Sequence, residues 1–393
     1  MNKIFRFRVL YAVMALVLLL LLISCNSTTP DPGNWPIETP QTTLTASGKV
    51  AHDDFGNSVA IYGDTAVVGD DQMNAAYVFT RNGTTWTQQA KLTLQDSTAD
   101  EYFGGNVTLY GDTAIITGGS SETGEAAYVF TRSGTIWTQQ AELIPSDDMA
   151  DDQFGDALSL YGDTVIIGSL GHYDTNQAAY IFTRSGTIWT QQAKLTGSDS
   201  LAGDDFGDSV SLYGDTAVVG ADSLGAAYIF TRSGTAWSQQ DELIPSNGFA
   251  GDAFGCSVSI YEDTIVAGAC YQAGSAYIFT RNGTTWTQQT QLTQLYGISQ
   301  ADLKPSDLDG YLSGSFGKLV GVFGDTVVIT GADLMGGAVF VFTGNGSTWT
   351  RQARVNAPNS FGSSISLYGN MAIIGGISTK NGAAYVLNLN SAQ

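Results

Sequence analysis

Histidine, cysteine, proline and basic residues are scarce in this chain of 393 residues, which has 2 His, 3 Cys, 8 Pro and only 16 Lys+Arg. Two histidines leave little material for acid–base or nucleophilic chemistry near neutral pH. His52 and His172 have no evident nucleophile beside them, and no Gly-rich phosphate loop, His-Glu metal motif or Gly-x-Ser-x-Gly elbow occurs. The shortage of bases against 37 Asp+Glu leaves a net charge of -21. Such a surface repels phosphate backbones and anionic headgroups, which argues against nucleic acid and acidic membrane surfaces as partners. What is abundant is glycine, with 47 residues, in a chain that is 43% hydrophobic and 11% aromatic. That composition supports a packed core and is unlike a disordered or collagenous chain.

The first residues read as an address. Lys3, Arg6 and Arg8 precede an uncharged apolar run from Val9 to Ile23, the basic and apolar regions of an export signal. The run is shorter than the roughly 20 residues a spanning helix needs. It ends in Leu22-Ile23-Ser24-Cys25, which resembles the bacterial lipobox. The resemblance implies a signal peptide over 1–24, a lipid on Cys25, and a protein anchored in the bacterial cell envelope, at the outer membrane or cell surface. Residues 25–40 hold Pro30, Pro32, Pro36 and Pro40. Proline stiffens the backbone and lacks a ladder N–H, so this segment reads as an extended tether.

From residue 41 onward self-similarity dominates. Phe-Gly recurs at Phe55, Phe103, Phe154, Phe206, Phe254, Phe316 and Phe361, at spacings of 48, 51, 52, 48, 62 and 45. Each unit reads as four short strands; in the fourth they are Ser209 to Tyr213, Thr216 to Gly220, Ala226 to Thr231 and Thr235 to Leu243. Gly-Asp and Ser-Gly or Asn-Gly turns join them as hairpins. The last unit stops before its Trp-Gln-Gln strand, while Gln41-Thr42-Thr43-Leu44-Thr45 matches Gln89-Ala90-Lys91-Leu92-Thr93 at its Gln, Leu and Thr positions. A strand borrowed from the N-terminus would close a ring and remove its exposed edges. The expectation is an all-β, seven-bladed β-propeller over 41–393, with four antiparallel strands per blade and the last blade closed by the N-terminal strand.

Units such as Phe206-Gly207-Asp208-Ser209-Val210, then Gly220-Ala221, then Ala227-Tyr228-Ile229-Phe230-Thr231-Arg232 resemble the bacterial FG-GAP repeat family, related to the propeller of integrin α subunits. The resemblance covers about residues 41 to 390. It implies a propeller and an extracellular setting of adhesion or interaction. Two features depart from it. The Pro of Gly-Ala-Pro is replaced by Asp222, Cys270 and Asp333, and the calcium loop has shrunk to a two-residue Gly-Asp turn. Calcium binding by that loop is therefore not carried over.

Acids recur at two registers. The turns between strands one and two hold Asp64, Asp112, Asp163, Asp215, Asp263 and Asp325, on the same predicted face as Arg81, Arg132, Arg184, Arg232 and Arg281. The opposite face holds the acids before Phe-Gly, among them Asp151, Asp152, Asp204 and Asp205, with Asp222 from a strand two to three loop and almost no base. Its irregular loops add His172, Tyr173 and Asp174 and an insertion around 294–315 with Asp307 and Asp309. These residues form the candidate binding face. Asp accepts backbone N–H bonds in turns, so any one of them has a structural role as its first reading. Asp307-Leu308-Asp309-Gly310 resembles a fragment of a calcium loop and makes Ca²⁺ the one cofactor worth testing. Cys256 and Cys270 are a candidate disulfide: a regular two-residue turn sets Cys256 opposite Ala269 with the sulfurs on different faces, whereas a bulge would align them. The function expected is a non-catalytic, monomeric binding or adhesion module for an extracellular or periplasmic protein or glycan. A carbohydrate-active propeller enzyme using face carboxylates and a structural subunit of an envelope complex are the alternatives.

Overall fold

A computed structural model describes residues 37–38, 40–48, 54–94, 102–120, 124–147, 153–171, 177–248, 251–271, 274–294, 296, 316–333, 336–356, 361–377 and 382–389. Its strands form seven sheets whose four blade strands pair antiparallel; blades one to five follow chain order from hub to rim, and blades six and seven each take their outermost strand from the N-terminus. Blade four has Phe206–Tyr213, Thr216–Ala221, Ala226–Ser233 and Ala236–Leu243. The seventh blade is completed as expected: Thr42–Leu44 pairs antiparallel with Ala383–Asn388, Leu44 opposite Ala384. Leu92 sits opposite Ala76 in blade one in the same way. Ile37–Glu38, within the segment 25–40 read from the sequence as a tether, adds a parallel fifth strand to blade six beside Arg354 and Val355.

The repeat motif follows from how blades meet. Ala217, Val218 and Val219 of the second strand have no exposed surface, because a second strand lies between its two neighbouring blades. Phe206 is buried between blades three and four, its ring 5.4 Å from Tyr228 and 6.2 Å from Phe230. Burying each such ring contributes about 2–3 kcal/mol. The following glycine lets the backbone approach the next sheet. Gly255 lies at φ +98, and its carbonyl oxygen would lie 2.0 Å from a Cβ placed on Gly220 of the preceding blade. Phe-Gly and the later Gly-Ala are thus two halves of one contact between neighbouring blades.

The outer strands are tied through their paired glutamines. In blade four Ile229 faces Asp241 and Phe230 faces Gln239, leaving Gln240 as a bulge residue. The bulge turns Gln240 toward blade five, where it accepts a hydrogen bond of 3.3 Å from Trp286 Nε1. Trp237 donates likewise to Gln192, and Trp137 to Gln89. At the hub the free edges of the inner strands are capped by serines. Ser159 Oγ accepts from Leu212 N–H, Ser211 from Ile260, Ser259 from Val322 and Ser366 from Ile61. The last of these crosses the ring closure, so blades seven and one join as the others do.

Candidate functional site

The two ends of the hub differ. At the turn end Tyr62, Tyr110, Tyr161, Tyr213, Tyr261, Phe323 and Tyr368 stack in a closed circle, with centroid separations from 4.4 to 5.3 Å. Each is the last residue of its inner strand. Burial pushes the Tyr213 hydroxyl up to about 12, so it stays protonated. Five of the six turn aspartates on this face are ion-paired, and blade six, with Asp325, has Gly344 where the Arg would stand. Arg81, Arg132, Arg184, Arg232 and Arg281 reach the turn aspartates of their own blades at 2.5–2.6 Å. Arg232 also donates to Thr164 of blade three and lies over the Trp237 ring. These aspartates serve the scaffold.

At the Phe-Gly end the candidate acids divide. Asp205 has left-handed backbone, φ 58, which Asp tolerates better than most residues. Its carboxylate accepts from Gln177 at 3.3 Å and from the Ser223 hydroxyl. Asp204 accepts from the Leu201 N–H at 2.5 Å. Both hold turns, as the first reading of such aspartates proposes. The pKa of Asp222 is raised by burial and by Asp205, with the Ser223 N–H opposing. Asp151, Asp152, His172, Tyr173, Asp174, Asp307, Asp309 and Cys25 lie outside the described residues. Among the described residues no group of three or more His, Cys, Asp or Glu is arranged to hold a metal ion.

The acids at the centre were absent from the sequence-based set. Asp156 and Asp208 each follow a Phe-Gly and lie on adjacent blades. Burial raises Asp156 to about 6. Burial, then Asp222, Asp156 and Asp205 in that order, raise Asp208 to about 7. Asp156 is open to solvent yet surrounded by protein, as a group at the hub mouth is. The positions after Phe-Gly are Asn57, Gly105, Asp156, Asp208, Cys256, Lys318 and Ser363. That variation within a uniform frame was the signal available. A base does stand on this face: Lys318 is exposed in blade six, and Lys194 pairs with Asp147 at 2.6 Å. The base-poor zone is therefore narrower than the whole face, confined to the hub side of blades three to five, inward of Lys194 on the outer strand Ile188–Leu195.

The cysteine register differs from a regular hairpin. Phe254, not Cys256, faces Ala269, and Ser257 faces Gly268, with a bulge between them. Cys256 and Cys270 are free thiols with their side chains hydrogen-bonded to each other, so the bulge brings them together without a disulfide.

The FG-GAP repeat pattern matches residues 39–79, 86–130, 137–182, 189–230 and 237–279. Blades six and seven, beyond the match, have Gly344 and Leu389 where the others have the ion-paired Arg. Among solved structures the chain is similar to one in the mitotic checkpoint complex, at 12% identity over 93% of this chain and 96% of that one, TM-score 0.59. It is similar to the RRP9 WD40 repeats at 8% identity, covering 89% and 99%, TM-score 0.56. A third likeness is to Saccharomyces cerevisiae Sqt1, 12% identical, covering 90% and 87%, TM-score 0.53. At these identities the likeness is one of fold. No curated protein matches the chain.

Proposed function

From the premise that this chain belongs to the FG-GAP repeat family, we propose that it is a non-catalytic binding module of the bacterial cell envelope. In this reading Cys25 carries the lipid that anchors it, and the Phe-Gly face meets an extracellular or periplasmic protein or glycan. One observation carries the proposal: a uniform scaffold displays a varied set of side chains around the Phe-Gly end of its hub, acidic at Asp156, Asp208 and Asp222. On the turn face five of the six turn aspartates are paired off internally. A partner with basic or hydroxyl-rich groups fits the acidic zone. Glycan and protein arrays probed with the purified mature chain test the reading. Binding that survives Asp156→Asn with Asp208→Asn and is indifferent to salt would refute the assignment to this face. Fatty-acid labelling that persists in Cys25→Ala would refute the anchor.

A second reading rests on the same carboxyls. A carboxyl that holds its proton near neutrality is what a general acid requires, and Asp208 is one. Polysaccharide turnover by the wild-type chain, lost in Asp208→Asn, would favour a carbohydrate-active enzyme over the binding module.

A further inference from the structure

Blade five carries two thiols at positions where other blades carry other interacting pairs. Cys256 follows Phe254-Gly255 and Cys270 follows Gly268-Ala269, the places held in blade four by Asp208 and Asp222. In blade one the corresponding pair is Asn57 and Asp71, joined by a side-chain hydrogen bond. In blade four the two acids repel each other. The bulge explains the recurrence, because it turns the residue after Phe-Gly back toward the end of the second strand; Gly255 permits this with its φ of +98. Cys256 also lies 3.8 Å from the Gly317 carbonyl of blade six. Neither thiol is fully buried.

We propose that Cys256 and Cys270 are a redox site, a dithiol that a low-molecular-weight or protein disulfide converts reversibly into an intramolecular disulfide. Cys270, having lost its proton to solvent, attacks one sulfur of the reagent and expels its thiolate. Cys256 then loses its proton and attacks the Cys270 sulfur, expelling the second thiolate. Two cysteine thiols are oxidised and one reagent disulfide is reduced to two thiols. The roles follow from the surroundings. The hydrogen bond from Cys256 holds the Cys270 thiol below its ordinary range, with burial, Asp222 and Asp208 opposing. The same bond, then burial and the charges of Cys270 and, less, Asp222, push Cys256 up. Cys270 is thus the attacking thiol and Cys256 the resolving one. Closing the bond ties the Phe-Gly loop to the end of the second strand and removes an ionisable thiol beside Asp222 and Asp208.

The test treats the purified full chain with oxidised glutathione and cleaves it after Glu262, which separates the two cysteines. The expected product is one species linking the fragments through Cys256 and Cys270, broken by a reductant. A lasting glutathione adduct on Cys270 with Cys256 still reduced, or no reaction at either, overturns the proposal. The pH profile of alkylation checks the roles separately. Cys256→Ala is expected to move Cys270 alkylation toward the pH of an ordinary thiol, and Cys256→Ser, which keeps a donor, to move it back. An unchanged profile in both variants refutes the assignment of Cys270 as the attacking thiol.

Discussion

Replacing Asp208 by Asn is expected to stabilise the propeller, and to do so only above mildly acidic pH. The ordinary value of 3.8 rises to about 7 in the folded chain. Below about pH 4 both folded and unfolded chains hold the proton, and the carboxyl contributes nothing to pH dependence. Between about 4 and 7 the folded chain keeps a proton that the unfolded chain has lost, so wild-type stability falls as pH rises. Above 7 the cost is complete. Roughly three pH units at 1.36 kcal/mol each set a ceiling of about 4 kcal/mol. Asp208 is only partly buried, so solvent screening reduces this to about 1–3 kcal/mol. Asn has the same shape and no charge, and no hydrogen bond to the Asp208 carboxylate is found among the described residues. Denaturant midpoints of wild type and Asp208→Asn near pH 4 and near pH 8 measure the difference. A variant no more stable than wild type at the higher pH, or equally stabilised at both, would refute the argument that the hub mouth strains this carboxylate.

Gly220→Ala is expected to cost about 3 kcal/mol or more, since its Cβ would fall 2.0 Å from the Gly255 carbonyl oxygen. Gly214→Ala, at φ +59 in open space, is expected to cost only about 1–2 kcal/mol; equal losses in urea unfolding would undo the two-halves account of the motif. Arg232→Ala loses an exposed ion pair with Asp215, a hydrogen bond to Thr164 and the Trp237 contact, about 2 kcal/mol together. A loss below about half a kilocalorie would show these contacts to be ornamental. Deleting residues 37–46 removes the strand Thr42–Leu44 with buried Leu44 and opens the edge of blade seven. A sharply lower melting temperature is expected, and an unchanged melting curve would refute closure of the ring by this strand.

Much of the propeller was legible because its repeat punctuates the chain with residues that have few conformational alternatives. Phe-Gly, the Gly-Asp turn and the Trp-Gln-Gln strand each mark one place in a blade, and the split last unit showed where the N-terminal strand belongs. The site was harder to read. Asp204 and Asp205 looked prominent as a repeated acidic pair, yet their carboxylates bind turn groups. Asp156 and Asp208, just after Phe-Gly, were not singled out, because nothing local shows that seven such positions converge on one axis. The aromatic circle was hidden for the same reason: Tyr62 and Tyr368 are stacked at 4.4 Å though far apart in the chain.

The residue order by itself determined the blade, the number of blades and the closing strand, since strand period, glycine turns and inter-blade glycines act over a few residues. Only the tertiary structure decided which acids are strained and which are bonded, and that Cys256 meets Cys270 through a bulge. Those outcomes depend on burial and on charges from neighbouring blades, which exist only once the ring has brought them within reach.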